Sequence, residues 1–250
     1  AAPLDSPVLL IGETGTGKST FARLIHLWSK RAGNFISFRC ADLNDAVIAN
    51  ELFGEGQAGG LLAAARAGTL FLDEIALLPP AIQTRLALWL DEHEGGDAVR
   101  IIGATHYGVT EPARNGGGGM RAALSNVLPG TANGRANEFR RRIGRVTISL
   151  PSLHARRSDL PILMEYFAAQ ARQRYGLAPE PLPEAMVRFF VDHEWPGNVR
   201  ELRQAVERFV IAHAEAAGSG EVATGPSVDS FTLAQSIARS ALLGASGTSL

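Results

Sequence analysis

Pro7-Val8-Leu9-Leu10-Ile11-Gly12-Glu13-Thr14-Gly15-Thr16-Gly17-Lys18-Ser19 is the stretch that decides the fold. An apolar run passes directly into a glycine-rich turn, and the residues beyond it place Phe21, Leu24, Ile25 and Trp28 at helical spacing. Strand, turn and helix in that order make a P-loop. Glycines let the backbone close around phosphate oxygens, while loop amides and the helix N-terminus favour negative charge. Lys18 is placed for the outer phosphates and Ser19 for Mg²⁺. The expected nucleotide contacts are Gly12, Glu13, Thr14, Gly15, Thr16, Gly17, Lys18, Ser19 and Thr20. With 27 glycines but only two lysines, Lys18 and Lys30, the chain has little chance of matching every fixed position of the motif by accident.

Outward from this stretch, short apolar runs alternate with helical patterns. Strands are expected near 7–11, 35–39, 69–72, 99–104 and 146–150. Such a βα succession predicts an α/β fold with a mostly parallel sheet sandwiched by helices. Pro79-Pro80 opens a helix with Ile82, Leu86 and Leu90 on one face. Between 107 and 137 the pattern gives way to Glu111-Pro112, Asn115-Gly116-Gly117-Gly118-Gly119 and Pro129-Gly130, which predicts a long mobile insertion. From Ser158 the sequence turns helical. One helix carries Leu160, Leu163, Tyr166 and Phe167 and stops at Gly176, a shorter one follows Pro183, and a third starts near Asn198. There Asn198 is expected to cap and Glu201 to complete a capping box. Residues 217–230 read as a linker, and 231–243 supports at most one further helix. The expected domains are 1–152, 153–217 and a tail over 218–250.

The bulk properties narrow the class. A net charge of −1 and a pI near 6.7 provide no general field for nucleic acid. The single cysteine, Cys40, excludes an internal disulfide and a cysteine-rich zinc site and suits a reducing cytoplasm, the expected location; it reads as a packing residue at a strand end. No apolar run reaches 18 residues, so no membrane role is expected. The chain begins at Ala1 without an initiator methionine, as a piece of a longer protein would.

A second site element is Leu70-Phe71-Leu72-Asp73-Glu74, an apolar strand ending in two acids. Beside a P-loop this is a Walker B arrangement: Asp73 for the Mg²⁺ shell, Glu74 to orient or deprotonate the attacking water. The strand 99–104 ends in Thr105-His106, where a polar group could sense the outer phosphate or simply finish a strand.

With these residues in place the sequence resembles the AAA+ domain of bacterial enhancer-binding proteins, the sigma-54 activator family, over roughly residues 5–215. The resemblance is carried by GETGTGKS at 12–19, FISFRC at 35–40, ELFG at 51–54, GTLFLDEI at 68–75, LPSLHARRSDL at 150–160 and WPGNVREL at 195–202. It implies ATP and Mg²⁺ as cofactors, a helical lid after the nucleotide domain, and Arg200 as a second sensor arginine contacting phosphate. The alternative for Arg200 is an exposed helix arginine paired with Glu201 or a neighbour. It also implies trans-acting arginine fingers among Arg140, Arg141, Arg142 and Arg145, with Arg142 best in register and Arg121 or Arg135 as candidates for the first. A solvated basic face is the alternative for each. A finger requires the active site to lie between subunits of a ring, a hexamer by resemblance.

Three departures stand out. Only thirteen residues, Glu55 to Ala67, separate Gly54 from Gly68, and they do not spell the family's sigma-54-contacting GAFTGA loop; this is similar to the aromatic-amino-acid regulators of the same family. The family's asparagine that switches the catalytic glutamate is Arg39, and the asparagine after the sensor threonine is His106. Arg39 is expected near Glu74, favouring its ionised form or pairing with it. Two functions follow: a ring ATPase of a transcription regulator, or a degenerate module whose nucleotide state only sets oligomerisation. Any DNA contact or input signal is expected outside this chain.

Overall fold

The computed structural model describes residues 6–41, 43–54, 59–93, 98–106, 139, 141–218, 236 and 238–242. By its internal contacts the chain divides into two units, Ala1–Glu13 with Gly17–Leu150, and Thr14–Thr16 with Pro151–Leu250.

In the first unit five parallel strands form one sheet: β1 (Val8–Ile11), β2 (Phe35–Arg39), β3 (Thr69–Asp73), β4 (Arg100–Thr105) and β5 (Val146–Ser149). Their spatial order is β2-β3-β4-β1-β5. Alternate residues of a strand face opposite sides, and here both sides are covered. Leu9 and Ile11 join Leu70, Leu72 and Ile101 in a core with α2 (Asp45–Phe53), α3 (Leu61–Ala64) and α4 (Pro80–Glu92). Val8 and Leu10 join Phe71, Ile102 and Ala104 against Ala22 and Ile25 of α1 (Lys18–Ser29). Burial on two faces explains why these strands are continuous apolar runs rather than alternating ones. β2, at an edge, is only partly covered.

Parallel pairing brings the strands' C-terminal ends to one edge of the sheet. Ile11 lies opposite Thr105 and Leu72 opposite Gly103, so the phosphate loop, the two acids and Thr105-His106 emerge side by side. In such sheets this edge is where ligands bind.

Two expected core positions are corrected. Trp28 is 63% exposed, because the buried stripe of α1 runs through Lys18, Ala22 and Ile25 to the partly buried Ser29, one position round from Trp28. Tyr166 is 55% exposed. Its hydroxyl accepts a hydrogen bond from Gln170 (2.7 Å) on the outer face of its helix.

The second unit is helical: α5 (Leu160–Tyr175), α6 (Glu184–Val191) and α7 (Asn198–Gly218) follow a short 3-10 turn over 154–159. Gly176 ends α5 with φ +67°, a left-handed cap that glycine adopts at little cost. Met164, Met186, Phe190, Trp195, Leu202, Val206 and Phe209 form the core. Ala238, Ala241 and Leu242, helical residues near the end of the chain, are buried in it too. α7 extends two residues into the stretch expected as a linker. The insertion expected over 107–137 lies outside the described residues. Among the described residues no helix is long and apolar enough to cross a membrane.

Candidate nucleotide site

β1 ends at Ile11, and Gly12 N–H donates to the Thr105 carbonyl (3.2 Å), tying the start of the phosphate loop to the end of β4. The loop turns through Gly15 (φ +83°) and Gly17 (φ +99°), conformations that cost side-chain-bearing residues about 1 kcal/mol or more. Gly17 caps α1 with no side chain over the helix end. The first helical bond runs from Phe21 N–H to the Gly17 carbonyl, so the amides of Lys18, Ser19 and Thr20 have no partner within the helix. Lys18 is buried, and its ammonium donates to the carbonyls of Gly12 (2.8 Å) and Glu13 (3.0 Å). Its stem therefore arches over the loop. Glu13, Thr14, Ser19 and Thr20 are exposed, whereas Thr16 is buried.

The acids stand two strands away. Asp73 closes β3, and its carbonyl accepts from Cys40 N–H (2.9 Å). Glu74 adopts φ +56° and ψ +46°, a left-handed conformation unusual for glutamate, and starts a 3-10 turn over Ile75–Leu77. Ile75 is fully buried against Gly103, where an added Cβ would stand 2.8 Å from Ile75 Cδ1. A side chain at 103 would require the Ile75 side chain to shift. The turn that aims Glu74 therefore packs on a glycine of β4 that carries no motif and that sequence reading missed.

His106, one residue beyond β4, meets this carboxylate: Nδ1 lies 2.8 Å from Glu74 Oε2. Arg39 does not. It is exposed at the end of the edge strand, and among the described residues no hydrogen bond or ion pair joins it to Glu74. The expected pairing of Arg39 with Glu74 is thus corrected: Arg39 lies opposite Asp73 in the β2–β3 register, exposed, and alternation along β2 sends the next residue, Cys40, inward. Burial, with the charges of Asp73 and Glu74, pushes the Cys40 thiol up to about 12. Cys40 is a neutral packing group, as expected.

Arg142, on a helical turn over 141–143, forms an ion pair with Asp91 of α4. Arg121, Arg135 and Arg140 lie outside the described residues. In the second unit Arg200 is exposed in the first turn of α7. The expected capping box is not formed, which corrects that reading. Glu201 Oε2 accepts from Gly197 N–H (2.7 Å) while Asn198 N–H donates to the Trp195 carbonyl (2.8 Å), and Asn198, at φ +54°, directs its side-chain amide to distant backbone. Its Oδ1 accepts from Leu153 N–H (2.7 Å) and its Nδ2 donates to the Thr14 carbonyl (3.1 Å). Gly15 is held equally closely within this unit, since a Cβ there would fall 2.2 Å from the Gly197 carbonyl oxygen.

The donor set suits a nucleotide with Mg²⁺. Ser19 and Asp73 offer oxygens, and no group of three or more His, Cys, Asp or Glu gathers to hold a metal alone among the described residues. Ser19 and Asp73 would hold a divalent ion with few protein ligands, the kind of site Mg²⁺ uses.

The sequence compares with known proteins on the same terms. A family model described as the sigma-54 interaction domain matches residues 1–117, and one described as an AAA+ ATPase lid domain matches residues 154–219. The chain belongs to the sigma-54 activator family of AAA+ proteins. Among its relatives in that family, the Psp operon transcriptional activator of Escherichia coli (strain K12) is 36% identical over 85% of this chain and 66% of the relative. The C4-dicarboxylate transport transcriptional regulatory protein DctD of Rhizobium meliloti (strain 1021) is 33% identical over 95% of this chain and 52% of its own length. The crystal structure of NtrX from Brucella abortus in complex with ATP superposes with a TM-score of 0.67 at 30% identity, covering 84% of this chain and 48% of that one. The chain thus spans about half to two thirds of the length of these relatives.

Proposed function

We propose that the chain is the ATP-hydrolysing module of a bacterial transcription regulator, with ATP and Mg²⁺ held by the loop from Gly12 to Thr20. The carrying observation is the shared edge at which the phosphate loop, Asp73, Glu74 and Thr105-His106 emerge. Lys18 would exchange its loop carbonyls for the outer phosphates, and Ser19 and Asp73 would hold Mg²⁺, which neutralises charge on the phosphates. Glu74 takes the proton of a water that attacks the γ-phosphorus while the bond to the ADP oxygen breaks. Arg200 is assigned to the phosphates by resemblance. Arg142 is assigned as the finger that completes a neighbouring subunit's site in a ring, for which it must leave Asp91. The reading as a degenerate nucleotide switch rests on Arg39, His106 and the short stretch after Gly54, and of these Arg39 makes no hydrogen bond or ion pair with Glu74 among the described residues.

The same module is proposed not to remodel sigma-54. Only thirteen residues, Glu55 to Ala67, separate Gly54 from Gly68, and they do not contain the GAFTGA sequence that the family resemblance assigns to the sigma-54 contact.

The test is ATP affinity by calorimetry and steady-state turnover over a range of protein concentrations. Wild type should bind and hydrolyse ATP with specific activity rising on assembly, and Lys18→Ala should lose binding. Unchanged affinity in Lys18→Ala, or a wild type that binds without turnover, would overturn the hydrolytic reading. Co-elution with sigma-54 in the presence of an ATP transition-state analogue would overturn the second part.

A further inference from the structure

We propose that His106 is a positioning residue for Glu74, holding one carboxylate oxygen through an Nδ1–H donor and leaving the other for the attacking water. The inference rests on the hydrolytic reading above. An ionised carboxylate only accepts hydrogen bonds, so at 2.8 Å from Oε2 the imidazole must carry its hydrogen on Nδ1. Both partners are set by the sheet. Thr105 is fully buried and its carbonyl holds Gly12, which fixes the backbone from which His106 projects. Glu74 is fixed by its left-handed backbone and by Ile75 seated on Gly103. Oε1 has no hydrogen-bond partner among the described residues, while Oε2 is occupied. A carboxylate held by one oxygen keeps the other aimed, and small errors of aim are costly in proton abstraction.

The geometry also compares His106 with the asparagine that the family resemblance gives at this position. In histidine Nδ1 follows Cβ and Cγ; in asparagine Nδ2 follows the same two atoms. Each places an N–H donor at the same remove from the backbone. The change at His106 therefore preserves the donor rather than disabling the site.

The experiment compares kcat and KM for ATP in wild type, His106→Ala and His106→Asn. His106→Ala should lower kcat about tenfold or more, the scale of a lost hydrogen bond to a charged group, with KM within about twofold. His106→Asn should return kcat to within about threefold of wild type. A normal kcat in His106→Ala, or a His106→Asn protein as slow as His106→Ala, would overturn the proposal. A second measurement does not depend on turnover: ring-nitrogen NMR should find His106 protonated on Nδ1 in wild type and redistributed toward Nε2 in Glu74→Ala. Identical ring signals in the two proteins would refute the contact. A wild type that binds ATP without hydrolysing it defeats the hydrolytic reading instead, and the ring nitrogens still report whether His106 holds Glu74.

Discussion

A histidine from a neighbouring element meets β3 at each end, His26 of α1 at its start and His106 after β4 just past its end, and the two behave differently although their contacts are nearly the same length. At its start, Thr69 Oγ1 lies 2.9 Å from His26 Nδ1; just past its end, Glu74 Oε2 lies 2.8 Å from His106 Nδ1. His26 is partly buried between α1 and the sheet, and burial, helped by the cations Arg31 and Arg100, lowers its pKa. It is a neutral imidazole bonded to a neutral hydroxyl, stacked at a tilt on Phe35 (5.6 Å). His106 faces a carboxylate at the edge where the phosphate loop emerges. The ring is common to both; the partner and the surrounding charges separate a packing histidine from one that serves a site.

The largest effect should come from the acid end. Glu74→Gln keeps shape and ATP binding but removes the base, and turnover should fall on the order of 10²-fold or more. Near-normal turnover would mean that another group activates the water, and that the two ends of β3 differ less than their partners imply.

An intermediate effect is expected at the other end. Because folding lowers the His26 pKa, the unfolded chain binds this proton more readily than the folded one below the usual value of 6.5. The contribution of His26 to stability is therefore fully present above pH 6.5 and is lost as pH falls toward its lowered folded value. Urea midpoints should drop between pH 7.5 and 5.5 in wild type and drop less in His26→Gln, which lacks the titration. Equal pH sensitivity in the two proteins would show that His26 does not control this window.

The smallest change should be Arg39→Asn. With Arg39 exposed and unattached to Glu74, restoring the family's asparagine should alter turnover by less than about twofold. A severalfold change in either direction would show that the edge strand reaches the acid after all. It would also make β2, rather than β4, the strand that governs Glu74.

Much of the site is local chemistry and could be read directly. The phosphate loop, Asp73 and Glu74 each depend on a strand ending in a particular turn, and such order along the chain is visible wherever apolar runs meet glycines or acids. The inner strands β1, β3 and β4 are recognisable by composition because burial on both faces demands mostly apolar residues, while the edge strands β2 and β5, only partly covered, mix in polar ones. Trp28 and Tyr166 were harder: helical spacing gives a stripe, but a turn of 100° per residue lets neighbouring positions compete for its edge.

What the sequence by itself determined is the class of site: a strand, a phosphate loop, a lysine and a pair of acids, within a resemblance that the family models bear out. Tertiary structure alone decided which side chains meet. Arg39 and His106 are 35 and 32 residues from Glu74 along the chain, and nothing in their spacing ranks one above the other. Strand order and pleat do. β2 turns Arg39 outward at the sheet edge, β4 delivers His106 beside the acid, and Gly103 admits the isoleucine that holds the turn between them. Asn198 shows the same limit, since its local signature is a helix cap while its amide joins Leu153 and Thr14. Hydrogen-bond partners are chosen by proximity in space, and a polar side chain with several possible partners takes those that packing presents.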